Sequence, residues 1–299
     1  MISQIAQTSK GPIEVTWLGN GPVVLVCHGT SENCHSTLAF ESLVEAGFSL
    51  LTPSRPGYGR TPLDVGRSNA QAAEALIALL DTLKIQTCSV IAVSGGGPTG
   101  IALAAQFPQR IQRLVLMAAI SQPEDRPNEP SYRNQIAFYG PLHGIWWGML
   151  RMISNLSPRG MARQTLAIFS MHDPEDALNR LSPEGVESIR RFYQGPSSRL
   201  GALNDATHTV GEELLQAVSM PVLVIHSRED KSVPFSHAEW SLQHLSQATL
   251  YEAGFTGHFI WVGPDYKEIS EQMIAFLQVD PSDQYNEQEL PRQFSHENG

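Results

Sequence analysis

Cysteine is scarce in this chain, and so is positive charge. Only three of the 299 residues are cysteines, Cys27, Cys34 and Cys88. An odd number without C-x-x-C spacing argues against a disulfide framework and against a zinc or dithiol redox motif, and leaves reduced thiols as the expectation. Lysine and arginine number 20 against 30 aspartates and glutamates, for a formal charge of -10. A polyanionic partner such as nucleic acid is therefore repelled on average, and a small neutral or cationic substrate fits better. No stretch is long and apolar enough to span a bilayer, so no membrane association is expected. The opening residues MISQIAQTSKGPIEVTW lack the basic start and sustained apolar run of a secretory signal, which makes the cytoplasm the expected location. No glycine-rich loop ends in Gly-Lys-Ser or Gly-Lys-Thr, so phosphate cradling by a P-loop is excluded as well.

What the chain does have is an α/β rhythm. IEVTWLG and PVVLVCHG, separated by a turn at Asn20-Gly21, read as an initial hairpin, followed by a helical stretch after Ser36 and the segment GFSLLTPSRPG. PVVLVC and CSVIAV are almost wholly apolar, the pattern of strands buried on both faces of a mostly parallel sheet. Between them NAQAAEALIALLDTLK reads as an amphipathic helix, and a helix from about Gly97 to Phe107 precedes the strand RLVLMAA. The character then changes. From Gln122 to Ala206 no good buried strand appears, and eight prolines separate short helical pieces rich in Trp, Phe, Tyr and Met. Residues 122–206 thus look like an inserted helical cap. Alternation resumes with PVLVIHS, a helix around Ser236 to Leu245, ATLYEAG and a last helix from about Asp265 to Leu277. The expected core is discontinuous, 1–121 plus 207–280, and the polar residues 281–299 are expected to be a disordered tail.

The segment SVIAVSGGGPTG carries the chemistry: a buried strand runs into Ser94 and then into a glycine-rich helix start. A serine hydroxyl is a poor nucleophile until something exposes it and accepts its proton. A tight strand-turn-helix elbow does the exposing, and it needs small residues two positions either side, here Ala92 and Gly96. The same turn puts the Gly95 amide at a helix N-terminus, where it can stabilise a developing oxyanion. Pro98 is tolerated because the first helical turn needs no donor there. A second donor is expected from the sharp turn His28-Gly29-Thr30, at the Thr30 backbone amide.

VVLVCHG, SRPGYGRTP, IAVSGGGP, VLVIHSREDKSVP and GHFIW, in that order, resemble the α/β-hydrolase family, and the likeness covers most of the chain except the cap and tail. The resemblance implies an α/β fold with an eight-stranded, mostly parallel sheet flanked by helices, and a triad in the order serine, acid, histidine. By that pattern Asp230, after VLVIHS, is the acid that orients the base and stabilises its cation, and His258 in AGFTGHF is the base. The elbow departs from G-x-S-x-G in having Ala92 for the first glycine. Glu229 is the neighbouring alternative acid, and Glu124 or Asp125 occupies a position that a minority of the family uses.

The remaining candidates have plainer readings. A serine after a strand is usually a cap or turn residue, and it is the joint pattern with the Asp and His loops that raises Ser94 above this. His28 is expected to serve loop structure, His172 and His208 surface or packing, and Cys27 and Cys88 the core, while Cys34 is a candidate for the pocket edge. Gly95, Gly97 and Gly100 formally match G-x-G-x-x-G, but a dinucleotide site belongs in the first strand-turn-helix unit with an acidic residue ending the next strand, which here ends LVLMAA. Aromatic residues of the cap, with Phe138, Trp146 and Trp147 foremost, are candidates to face substrate. The expectation is a serine hydrolase acting on a small carboxylic ester or related acyl compound, without metal or cofactor. The same triad also serves lactones, amides, perhydrolysis and carbon-carbon bond hydrolysis, and a non-catalytic ligand-binding member of the family is the alternative of a different class.

Overall fold

The computed structural model describes residues 2–36, 40–123, 140–195 and 197–278. Eight strands form one sheet: β1 Gln4–Thr8, β2 Gly11–Leu18, β3 Val23–Cys27, β4 Ser49–Pro53, β5 Cys88–Val93, β6 Ile111–Met117, β7 Val222–His226 and β8 Ala248–Glu252. Their order is β1-β2-β4-β3-β5-β6-β7-β8. The pairs β1–β2 and β2–β4 are antiparallel and every other neighbouring pair is parallel.

β3, β4, β5 and β7 are buried at every position. Side chains alternate across a strand, so an unbroken apolar run feeds both faces of the sheet. In β5, Val90 and Ala92 join one core cluster while Ile91 and Val93 join the other. The first face is covered by α2 Asn69–Thr82, α3 Gly97–Gln106, α9 Glu212–Gln216 and α10 Ser236–His244. The second is covered by α1 Glu41–Glu45 and α11 Tyr266–Leu277. Between β6 and α9 lie α4 His143–Leu156, α5 Pro158–Phe169, α6 Pro174–Arg180, α7 Pro183–Gln194 and α8 Arg199–Asp205, and α5 to α7 continue the second cluster. Four starts have side-chain caps, with Ser68 accepting from the Gln71 N–H, Asp173 from those of Glu175 and Asp176, Ser182 from that of Gly185 and Ser198 from that of Gly201. No helix among the described residues is long and apolar enough to cross a membrane. The polar tail, 281–299, lies outside the described residues.

The opening hairpin differs from the sequence reading. β2 turns back on β1, through Ser9 and Lys10, and its other edge pairs with β4, with Val15 opposite Pro53 and Leu18 opposite Leu50. The turn at Asn20-Gly21 instead carries the chain past β4, which lies between β2 and β3. Gly21 fits there because a β-carbon would stand 1.9 Å from the Gly47 carbonyl oxygen. The β1 pattern, QIAQT, is too polar to announce a strand, and β4 is so apolar that it takes the buried place beside β3.

This edge is fastened by Glu14. Its carboxylate accepts bonds from the Ser3 hydroxyl at 2.9 Å, the Ser54 hydroxyl at 3.0 Å, and Arg60 through both its backbone N–H and Nε at 2.8 Å. Burial pushes the Glu14 carboxyl up, but the bonds from Arg60, Ser3 and Ser54 outweigh it and hold the group at about 2 instead of 4.5. A depressed folded-state value means stabilisation that is complete above about 4.5 and lost as pH falls toward about 2. Glu14→Gln is therefore expected to lower the thermal unfolding midpoint at neutral pH and to flatten its fall across that acid window, as followed by circular dichroism.

Candidate active site

β5 delivers Ser94 at its carboxyl end with φ of 49°, a left-handed conformation that is strained for a residue with a β-carbon. Ser94 to Gly96 make one tight turn and α3 starts at Gly97. The crowding explains the glycines. A β-carbon on Gly96 would stand 2.2 Å from the Cys27 carbonyl oxygen, and one on Gly97 would stand 2.2 Å from that of Ile120. One on Gly100 would stand 2.5 Å from the Ala92 β-carbon. Gly100 thus leaves the space that Ala92 fills, which is why alanine is accommodated two residues before Ser94. The G-x-G-x-x-G spacing is a packing pattern of helix on strand.

The loops after β7 and β8 meet Ser94 from the other side. Asp230 is fully buried, and its Oδ1 accepts the N–H groups of Ser232 and Val233, each at 2.8 Å. Its Oδ2 lies 2.8 Å from His258 Nδ1, and His258 Nε2 lies 3.0 Å from Ser94 Oγ. A carboxylate only accepts, so Nδ1 carries the proton and Nε2 is left to receive one from Ser94. The His258 N–H bonds the Phe169 carbonyl at 3.0 Å, and the two rings stack with centroids 5.9 Å apart. Gly257 before it has φ of 63°, and a β-carbon there would approach the Phe169 carbonyl to 2.6 Å. His226 approaches Asp230 to 3.6 Å, but burial lowers its proton affinity and its Nε2 is 2.8 Å from the Val233 carbonyl. Of the adjacent acids 229 and 230, Asp230 is the one that meets the imidazole.

On the third side is the turn after β3. Gly29 comes so close to Ser94 that a β-carbon on it would stand 3.4 Å from Ser94 Cβ. Thr30 lies on the wall of the cavity above Ser94, and Gly95 follows Ser94 directly. A buried clamp holds this turn. Arg55 donates its backbone N–H to His28 Nε2 at 3.0 Å, its Nε–H to the His28 carbonyl at 2.8 Å, and both terminal nitrogens to Asp205 at 2.6 and 2.7 Å. Asp205 also accepts the hydroxyls of Thr30 and Tyr58, both at 2.7 Å. Burial drives the His28 imidazole down to about 3, so it stays neutral and serves as loop structure. Burial alone would lift the Asp205 carboxyl, but the Arg55 guanidinium holds it below the ordinary range.

The chain is similar to known proteins in sequence and in fold. A model of the alpha/beta hydrolase fold family fits residues 22–262. The chain belongs to that family. YcgS of Bacillus subtilis strain 168, an uncharacterized hydrolase, is 34% identical over 271 residues, covering 90% of this chain and 95% of that protein. A 2-hydroxymuconate semialdehyde hydrolase of Pseudomonas putida is 29% identical over 229 residues, 73% of this chain and 72% of the relative. Among solved structures, an alpha/beta hydrolase fold protein from Nakamurella multipartita superposes with a TM-score of 0.79 at 24% identity, covering 92% of this chain and 99% of that one. Hydrolysis of a small molecule is the class of activity that the family carries.

Family membership puts the surrounding residues in perspective. The cavity over Ser94 measures about 350 Å³ and is walled largely by rings. Trp146 and Trp147, expected from sequence, line it, whereas Phe138, Glu124 and Asp125 lie outside the described residues. Phe192, Phe259 and Trp261 also line it and were not singled out, since each reads as ordinary packing. Cys34 is buried and bonded into the Glu14 region instead, so it does not edge the pocket. It forms with Glu14 and His35 a group of metal-donor atoms, but the Glu14 carboxylate is already taken up by Arg60, Ser54 and Ser3, and burial keeps the Cys34 thiol protonated to about 11. Those residues do not fit a metal. Within SRPGYGRTP nothing distinguishes Arg55, and nothing in LNDATH marks Asp205 as its partner.

Removing one member of a buried ion pair leaves the other charge uncompensated, at a cost of about 3–5 kcal/mol. Asp205→Ala is expected to lose stability by that amount in urea unfolding. The double variant Arg55→Met, Asp205→Leu should recover much of the loss, because neither charge remains.

Proposed function

We propose that the chain is a serine hydrolase that cleaves a small carboxylic ester or related acyl compound through an acyl-enzyme. The observation that carries this reading is the unbroken line from Asp230 through His258 to Ser94 Oγ, with bonds of 2.8 and 3.0 Å, opening on an aromatic cavity. Ser94 Oγ attacks the carbonyl carbon as its proton passes to His258 Nε2, and Asp230 stabilises the resulting imidazolium. The carbonyl oxygen gains the negative charge and is held by the amides of Thr30 and Gly95. Collapse of the tetrahedral intermediate breaks the bond to the leaving group, which takes the proton from His258. Water then enters by the same route, giving its proton to His258, and the acid departs as Ser94 regains its hydrogen.

The helices between β6 and β7 act, in this reading, as a cap that shapes the cavity, with Trp146 and Trp147 facing substrate. Three buried free thiols support a reducing location, the cytoplasm. A second reading, favoured by the likeness to the Pseudomonas putida relative, is that the same serine acts on a semialdehyde of the kind in that protein's name. Relative rates on graded esters, lactones, amides and such semialdehydes separate the two.

A fluorophosphonate probe is expected to label the native protein and to fail on Ser94→Ala, with hydrolysis of short p-nitrophenyl esters falling at least about a thousandfold. Asp230→Asn should fall by about four orders of magnitude through loss of the correct imidazole tautomer. Labelling that survives Ser94→Ala would refute the nucleophile. A native protein that neither labels nor turns over any ester would favour a ligand-binding role.

A further inference from the structure

The cavity above Ser94 holds a carboxyl group that the reaction does not use. Glu32 lies on its wall, with Oε2 accepting the Gly29 N–H at 2.9 Å and Oε1 accepting the Ser36 hydroxyl at 2.7 Å. The residue before it, Ser31, has φ of 70°, a left-handed conformation that is strained outside glycine. Through that kink the turn doubles back and Glu32 reaches the amide of Gly29. A β-carbon on Gly29 would stand 3.1 Å from Glu32 Oε2 and 3.4 Å from Ser94 Cβ, so carboxyl and nucleophile flank the same backbone atom. Burial raises the Glu32 carboxyl above its usual range, with the bonds from Ser36 and Gly29 and the fields of Arg55 and His258 opposing.

The rest of the wall offers no positive charge to balance it. No lysine or arginine lines the cavity among the described residues, and the other titratable groups there are His143, Tyr193 and His258. Arg55, whose field reaches Glu32, has both terminal nitrogens on Asp205. The remaining surface is mainly apolar, including Trp147, Phe169 and Phe192.

We propose that Glu32 sets the charge of the substrate: the cavity takes acyl compounds that are uncharged or carry an ammonium group and rejects those that carry a carboxylate. The proposal rests on the acyl-transfer reading of Ser94. A carboxylate entering this space sheds water, finds no counter-charge on the described wall and faces Glu32, which must first take up a proton. Its disadvantage therefore grows with pH. An ammonium group exchanges water for the Glu32 carboxylate and the faces of the rings, and it keeps Glu32 ionised. The chain's formal charge of -10 attracts cations in the same sense.

Phenyl esters whose acyl chains end in tert-butyl or trimethylammonium, which are matched in size, are compared with one whose acyl chain ends in the smaller carboxylate. In the native protein kcat/KM is expected to rank trimethylammonium above tert-butyl above carboxylate at about pH 8, with the carboxylate ester at least about tenfold below the tert-butyl ester. That ratio should narrow toward about pH 6, and because it is taken against the neutral ester, pH effects on the shared steps cancel. In Glu32→Gln the spread should shrink to about threefold or less and lose its pH dependence. An unchanged ranking in folded Glu32→Gln overturns the proposal, as does native protein that accepts the carboxylate ester as readily as the neutral one. Should Glu32→Gln not fold, a native ratio that stays flat with pH overturns it equally. If the neutral ester is not turned over and the fluorophosphonate does not label, the acyl-transfer reading is what fails. Calorimetry with pentyltrimethylammonium against hexanoate then tests the charge preference alone: tighter ammonium binding supports it and tighter hexanoate binding overturns it.

Discussion

The carboxyl ends of β3, β5, β7 and β8 point to one edge of the sheet, and the site depends on that shared direction. Ser94 and His258 are 164 positions apart and meet at 3.0 Å because their strands run parallel and release their loops on the same side. The backbone fixes this meeting more than the side chains do. Asp230 is held by two amides of its own loop, His258 by the Phe169 carbonyl, and Ser94 by a strained turn between a strand and a helix that are both buried. A site assembled from such rigid parts is poised before any ligand arrives.

The buried polar groups fall into two kinds. Asp205 and Arg55 satisfy one another and, through Thr30 and His28, tie the turn after β3 to the end of α8. That pair joins a sheet loop to the helical segment at a place where neither charge can reach water. Glu32 is different: among the described residues its oxygens accept from an amide and a hydroxyl and from no cation, and in the proposed reading its charge state answers to whatever shares the cavity. Only charged groups that lack a fixed counter-ion can respond in this way.

What could be read in the sequence follows the same division. The strands β3, β5 and β7 were legible because burial on both faces leaves an unbroken apolar run, β6 through the apolar run of its second half, and Ser94 because an elbow needs small neighbours at fixed offsets. His258 and Asp230 were legible through their order behind strands of the family, and the fold brings His258 within hydrogen-bond reach of both Asp230 and Ser94. β1 was not, since an edge strand with one dry face shows little hydrophobicity in QIAQT, and the partnership of β2 was misread because a turn signal at Asn20-Gly21 says where the chain bends and not which strand it will lie beside. Asp205 was invisible for a related reason. Its partner is 150 residues away, and a lone aspartate near a helix end looks like any solvated charge. Glu32, in a turn among Ser31 and Asn33, carried no mark of the cavity it faces.

The contact between Ala92 and Gly100 has a further consequence. Strand and helix approach so closely there that the gap holds a single methyl group, and in this chain it belongs to the strand. The two positions are therefore bound in their substitutions. Gly100→Ala alone would force α3 off β5 and shift the turn that presents Ser94, whereas the exchange Ala92→Gly with Gly100→Ala keeps the volume constant. Such a pair shows epistasis of opposite sign: a change harmful on its own becomes tolerable in the company of its complement.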